Sequence, residues 1–270
     1  MKFIIWCWDY HKFIGGCRIQ HKLCHLLNEM GQEAYVTASK TNPQWNTPRY
    51  DGSGFDKENT VVIYPECISE NKLDAKHVVR WILYHQVADY DSSDYVFKLH
   101  EHYHTKNNKC DGFLEIFDYD LSNWKNLKKP RTNDMIAFRK GKWKKDFVKL
   151  DYDNWLIYDI YEKHEDEDLL CEVMNSCNNF MCFDDSSFIP IQAVMCGCQT
   201  MVVPNPNLNA KQFRTLFPAM KYGIAYGDSP YEINRAKLTA HLVKDHIEKI
   251  NDSSKESTEK FVEYWKNKLQ

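Results

Sequence analysis

The chain has 270 residues, of which 43% are hydrophobic and 27% charged, and a formal net charge of −3. This composition is globular, not disordered, and the length favours two domains over one core. The slight negative balance argues against a strongly basic nucleic-acid binder. No run approaches about 18 consecutive apolar residues, so no integral membrane segment is expected.

The apolar start, Met1 to Trp8, meets Asp9-Tyr10-His11-Lys12 before reaching signal-peptide length, and reads as a first strand. A polar loop to Gly15-Gly16 follows. From Cys17, the residues Ile19, Leu23, Leu26, Leu27 and Met30 recur at helical spacing, with Gly31 as the stop. Ala34 to Thr37 reads as a second strand, which makes a βαβ unit and predicts a parallel sheet. Residues 42–59 read as a long loop. Val61 to Tyr64 is a strand ended by Pro65, and Asp74 to His85 is expected to be a helix with Val78, Val79, Ile82 and Leu83 inward. Tyr95 to Leu99 and Phe113 to Phe117 are further strands.

A basic, polar stretch from Asn123 to Thr132 marks the expected boundary. Beyond it, Met135 to Phe138 is a strand followed by the cationic run Arg139 to Lys145. Leu169 to Cys177 is a helix, Phe180 to Phe183 a strand, Phe188 to Met195 a helix and Thr200 to Val203 a strand. Two last helices are expected, from about Tyr231 to Ile250 and from about Lys255 to Leu269. The second half therefore repeats the first, and carboxyl ends of parallel strands are where such sheets bind ligands. The organisation expected is a domain over residues 1–128, a second over 129–254, and a terminal helix over 255–270 that returns to the first.

The ten cysteines include no C-x-x-C pair, so they read as free, mostly buried thiols in a reducing compartment, the cytoplasm. Gly15-Gly16 lets a backbone approach a ligand at a helix start, or simply makes a tight turn. Asp184, Asp185, Ser186 and Ser187 follow a strand and occupy the N-cap region of the next helix. Their hydroxyls and the nearby N–H groups suit a diphosphate, and they suit plain helix capping equally. Asp9 and His11 follow the first strand, where either can take a proton from an acceptor hydroxyl, and Glu66 is a further candidate. His100, His102 and His104 alternate, so an extended chain would align three imidazoles for a metal.

The segment Cys182 to Cys198, with Asp184, the Asp-Ser turn, Ala193, Cys196 and Gly197 before an apolar strand, resembles the donor-binding motif of retaining GT-B glycosyltransferases. The stretch Ile14 to Val36 and the terminal Tyr264-Trp265 helix are similar to parts of the same family, and Val61 to Trp81 resembles a small bacterial and viral branch. The resemblance implies an α/β fold of two Rossmann-like parallel-sheet domains facing a central cleft, with a terminal helix crossing back. It implies transfer of a sugar from a nucleotide-diphosphate donor, a UDP- or GDP-sugar, to a hydroxyl of a glycan or other acceptor. Arg139, Lys140 and Lys142 are then candidates to neutralise the donor diphosphate, so that no metal or other cofactor is required. Gln192 stands where the family usually has a ribose-binding glutamate, and His100 falls where a histidine faces the sugar in some members. The donor set expected is Gly15, Gly16, Arg139, Lys140, Lys142, Asp184, Asp185, Ser186, Ser187 and Gln192, with Asp9, His11 and His100 as catalytic candidates. Two rivals remain at this point, a non-catalytic nucleotide-sugar or glycan binder and a His-cluster metal-dependent hydrolase.

Overall fold

The apolar run Lys2–Ile5 forms strand β1 in a computed structural model that describes residues 1–148, 152–158 and 166–269. Helix α1 (Gly15–Glu29) follows and buries Cys17, Gln20, His21, Leu23, Cys24, Leu26 and Leu27, the spacing of a one-faced helix. Gly31 and Gln32 donate back to the carbonyls of Asn28 and Leu27, each at 3.0 Å, which closes the helix in a Schellman ending. Strands β2 (Glu33–Val36), β3 (Thr60–Pro65), β4 (His77–Ile82), β5 (Tyr95–Lys98) and β6 (Gly112–Phe113) complete the first sheet. Its order is β2-β1-β3-β4-β5-β6, and every neighbouring pair is parallel.

The helix expected over Asp74 to His85 is instead β4. Val78, Val79, Trp81 and Ile82 are buried on both faces of the sheet, so the run is apolar but for Arg80 and shows no strand alternation. Arg80 is 1% exposed within it. Its guanidinium donates to Asp94 Oδ2 at 2.7 Å and to the Ile68 and Ser69 carbonyls at 2.7 and 3.0 Å, which satisfies a charge inside a β-rich core.

The second sheet opens with β7 (Asn133–Ala137), after which Arg139–Phe147 forms a 3₁₀ segment. Then come β8 (Leu156–Tyr158), α2 (Glu167–Asn175), β9 (Cys177–Cys182), α3 (Ile189–Met195), β10 (Gln199–Val202), α4 (Ala210–Leu216), β11 (Ile224–Tyr226) and α5 (Pro230–Thr239). The order β11-β10-β9-β7-β8 is again wholly parallel. The Ala193-x-x-Cys196-Gly197 signature is the ending of α3. Gly197 takes φ +90°, and Cys198 N–H returns to the Ala193 carbonyl at 3.0 Å.

The chain divides into Met1–Asp118 with Ile250–Gln270, and Tyr119–Lys249. The last helix, α6 (Val243–Leu269), is continuous through residues 250–255, where the sequence suggested a break. A short 3₁₀ turn, Ala240–Leu242, makes the break earlier. The polar residues around 254 are not a loop because they bind the first unit. The Ser257 and Ser254 hydroxyls accept the Glu115 and Phe117 N–H groups, both at 2.8 Å. These bonds take the place of strand pairing, so β6 stops at Phe113 and does not reach Phe117. Phe261, Val262 and Trp265 join the core formed by Phe3, Leu27, Trp81 and Phe97. No helix among the described residues is long and apolar enough to cross a membrane.

Candidate functional site

Both sheets change winding direction at one place, between β1 and β3 in the first and between β7 and β9 in the second. Parallel α/β sheets bind ligands outside the carboxyl ends of their strands at such a point. In the second unit these ends carry Arg139, just past β7, and the 184–187 turn, just past β9.

Gly141 brings the two together. A Cβ on Gly141 would lie 1.7 Å from the Phe183 carbonyl oxygen, so the 3₁₀ segment rests directly on the backbone leading into the turn. In a 3₁₀ helix residues i and i+3 eclipse, and Gly141 and Lys144 are the buried pair of this segment. Lys144 Nζ donates to Asp185 Oδ1 at 2.5 Å and to the Val203 carbonyl, at the end of β10, at 2.9 Å. Burial raises the Asp185 carboxyl above the usual carboxylate range, against the opposing pull of the Lys144 ammonium. Asp184 Oδ1 accepts the Ser186 N–H and hydroxyl at 3.0 and 3.1 Å, while its Oδ2 lies 3.7 Å from Arg139 Nε. That last contact is beyond hydrogen-bond length and leaves the guanidinium loosely held. Arg139 takes φ +41°, a backbone conformation unusual for a side chain of its size.

The expected helix capping by the Asp-Ser turn does not occur. The N-cap of α3 is Phe188, with no side-chain cap, because Asp184 is turned onto Ser186 and the Ser187 hydroxyl accepts the Ile189 N–H at 3.4 Å. Gln192 is half-buried on α3, and Lys140 and Lys142 are exposed on the 3₁₀ segment. Lys144 was missed by sequence reading because the adjacent cations look alike. The three-residue period from Gly141 is the signal that separates it.

In the first unit, Gly15 and Gly16 open α1, as expected for a helix start, and its N-cap Ile14 provides no side-chain cap. A Cβ on Gly15 would meet nothing within 4 Å, and one on Gly16 only the Leu83 side chain at 3.8 Å. Asp9 is committed to the chain: its Oδ1 accepts the Ser39 and Lys40 N–H groups at 2.7 and 2.9 Å, which holds its pKa down. His11 Nδ1 accepts the Phe13 N–H at 3.3 Å. Glu66 Oε2 accepts the Leu83 N–H at 3.1 Å.

His100 lies past β5, three strand spacings from β1, which is about 14 Å at the normal interstrand distance. The Glu115 carboxylate, past β6, has its Oε1 4.0 Å from His100 Nδ1. Burial, with His102 second, pushes the His100 imidazole down to about 4. His102 is also pushed to about 4, chiefly by burial. The extended chain assumed for the three alternating histidines is absent. β5 ends at Lys98, and Tyr103 N–H turns back to the His100 carbonyl at 3.1 Å. His100 stacks on His102 and His104 on His85, with ring centroids 5.3 and 5.2 Å apart. Among the described residues no group of three or more His, Cys, Asp or Glu side chains is placed to hold a metal ion.

No protein-family model matches the sequence. No curated protein matches it either. Among solved structures, the chain is similar to a mutant of T4 phage beta-glucosyltransferase in complex with UDP-glucose, at 12% identity and a TM-score of 0.51, covering 97% of this chain and 98% of that one. A second similar structure is an alpha-glucosyltransferase in complex with UDP and a 13-mer DNA containing a central A:G mismatch, at 13% identity, a TM-score of 0.44, and coverage of 97% and 95%. The chain has the GT-B fold: two parallel-sheet α/β units and a long C-terminal helix.

Proposed function

We propose that this protein is a glycosyltransferase that moves a sugar from a nucleotide-diphosphate donor, a UDP- or GDP-sugar, to a hydroxyl of a glycan or other acceptor. The observation that carries the reading is the charge balance at the switch point of the second sheet. Arg139, Lys140, Lys142, Lys144 and Lys145 supply five cations on one short segment, against three carboxylates, Asp146 on the same segment and Asp184 and Asp185 on the facing turn. The surplus of two positive charges suits the two negative charges of a diphosphate diester. In this reading Arg139, Lys140 and Lys142 meet the diphosphate, Ser186 and Gln192 supply hydrogen bonds, and Gly15-Gly16 leave a helix start open to an anion.

The chemistry is attack of the acceptor oxygen on the anomeric carbon, which breaks the bond to the diphosphate oxygen and releases the nucleotide diphosphate. Fixed cations beside the leaving group stabilise the charge that develops there, so the reaction is proposed to proceed without a metal. His100, neutral at pH 7, is the preferred acceptor of the hydroxyl proton. Asp9 already spends one carboxylate oxygen on two backbone N–H groups. The ten cysteines are free thiols, which supports a reducing, cytoplasmic setting.

Gln192, in place of a charged ribose ligand, favours a second reading, a binder without turnover. One experiment separates the two. A panel of UDP- and GDP-sugars is screened by thermal shift, and any stabilising donor is then assayed for release of the nucleotide diphosphate with and without saccharide acceptors. Stabilisation with release supports transfer. Stabilisation without release supports the binder, and no stabilisation by any donor refutes both.

A further inference from the structure

We infer that Lys144 is a positioning residue: it neutralises Asp185 from inside the protein, so that the 184–187 turn does not repel a nucleotide-sugar diphosphate. The inference rests on the donor reading above and adds that the most buried cation of the run does not touch the donor. Arg139 is about a quarter exposed, at 24%, and Lys140 and Lys142 are exposed, whereas Lys144 is 1% exposed. Its ammonium is committed to two partners, Asp185 Oδ1 at 2.5 Å and the Val203 carbonyl at 2.9 Å.

The reason lies in the backbone. Gly141 presses on the Phe183 carbonyl, and the 3₁₀ period then delivers the residue three positions later to the inner side of the same turn. Asp185 is the carboxylate that this placement compensates. Asp184 already has Ser186 and Arg139, but the Asp185 side chain faces the Lys144 ammonium as its only ion-pair partner among the described residues. Without that ammonium a half-buried carboxylate, left with the neutral Asn205 side chain as a hydrogen-bond partner, would face the anion the turn is meant to receive with its charge unbalanced. The pair also ties the end of β9 to the end of β10, which fixes where the turn sits.

The test uses the full chain, UDP-glucose as the first probe followed by the wider donor panel, and titration calorimetry. A melt confirms folding of each variant. Lys144→Met alone is expected to weaken binding at least tenfold, because it exposes the donor to the Asp185 charge. Adding Asp185→Asn removes that charge, and the double variant is expected to recover most of the loss. Recovery separates charge compensation from simple packing, since a space-filling lysine is not rescued by an isosteric change in its partner. A double variant as weak as Lys144→Met would show that Lys144 contacts the donor or only fills space, and it overturns the inference. If Lys144→Met does not fold, the double variant decides alone: less than a tenfold loss from wild type supports the inference, and a larger loss overturns it. A wild-type chain that binds no donor in the panel removes the donor reading itself, an outcome distinct from the others.

Discussion

Replacing Gly141 by alanine probes the contact on which the proposed donor site is built. The added Cβ would lie 1.7 Å from the Phe183 carbonyl oxygen, 2.2 Å from its carbon and 2.8 Å from the Asp184 nitrogen. All three are backbone atoms, so no side chain can swing away. Carbon–oxygen contacts rarely fall below about 3.3 Å, so the 3₁₀ segment and the turn must part by about 1.6 Å. Overpacking of this kind costs about 1–3 kcal/mol, and at about 2–4 °C per kcal/mol the melting temperature falls by several degrees. The functional loss is expected to be larger than the stability loss. A misplacement of about 1 Å costs on the order of a hundredfold in rate when groups must be held in register. Lys144 and Arg139 are carried on the segment that moves, while Asp184 and Asp185 stay with the turn. The assay pairs a thermal melt with donor titration and turnover. Gly141→Ala with wild-type melting, donor affinity and turnover would refute the close approach and the site derived from it.

Three further outcomes follow from the same geometry. Arg139→Ala and Lys140→Ala are each expected to weaken donor binding about tenfold by calorimetry, the scale of one charge-assisted contact, and unchanged affinity in both would place the phosphate elsewhere. His100→Gln is expected to lower kcat by about a hundredfold or more with little change in donor KM. It also tests linkage. The folded His100 imidazole sits near 4, below its ordinary 6.5, so the unfolded chain binds more protons between those values. The stability it contributes is present above pH 6.5 and is lost as pH falls toward 4, at up to about 1.4 kcal/mol per pH unit, so urea midpoints of His100→Gln should fall less steeply there than those of the wild type. A parallel pair of curves would contradict that burial. Arg80→Met leaves Asp94 buried without its partner and is expected to cost about 3–5 kcal/mol in urea unfolding. A cost below about 1 kcal/mol would mean the pair is dispensable.

The two-unit parallel α/β architecture was legible in the chain because short apolar runs, two of them stopped by Pro65 and Pro204, alternate with one-faced helices. The α1 ending at Gly31 and the α3 ending at Gly197 were readable for the same reason, since both rest on local backbone geometry. The misread segments are those where distant contacts outweigh local pattern. β4 looked helical because a strand covered on both faces has no alternation to show, and the α6 serines looked like a loop because their partners, Glu115 and Phe117, lie more than 130 residues away.

The amino-acid sequence by itself determined which residues could do chemistry, the cationic run from Arg139 and the Asp-Ser turn from Asp184, since residue type and proximity to strand ends are local properties. Only the tertiary structure decided which of them meet. It set Lys144 inside on Asp185, left Lys140 and Lys142 exposed, tied Asp9 to the backbone that follows β2, and gave His100 a carboxylate neighbour from the segment after the next strand. The physical reason is that orientation depends on the 3₁₀ phase set by one glycine against one carbonyl, and on strand order, neither of which is written in any short stretch of the chain.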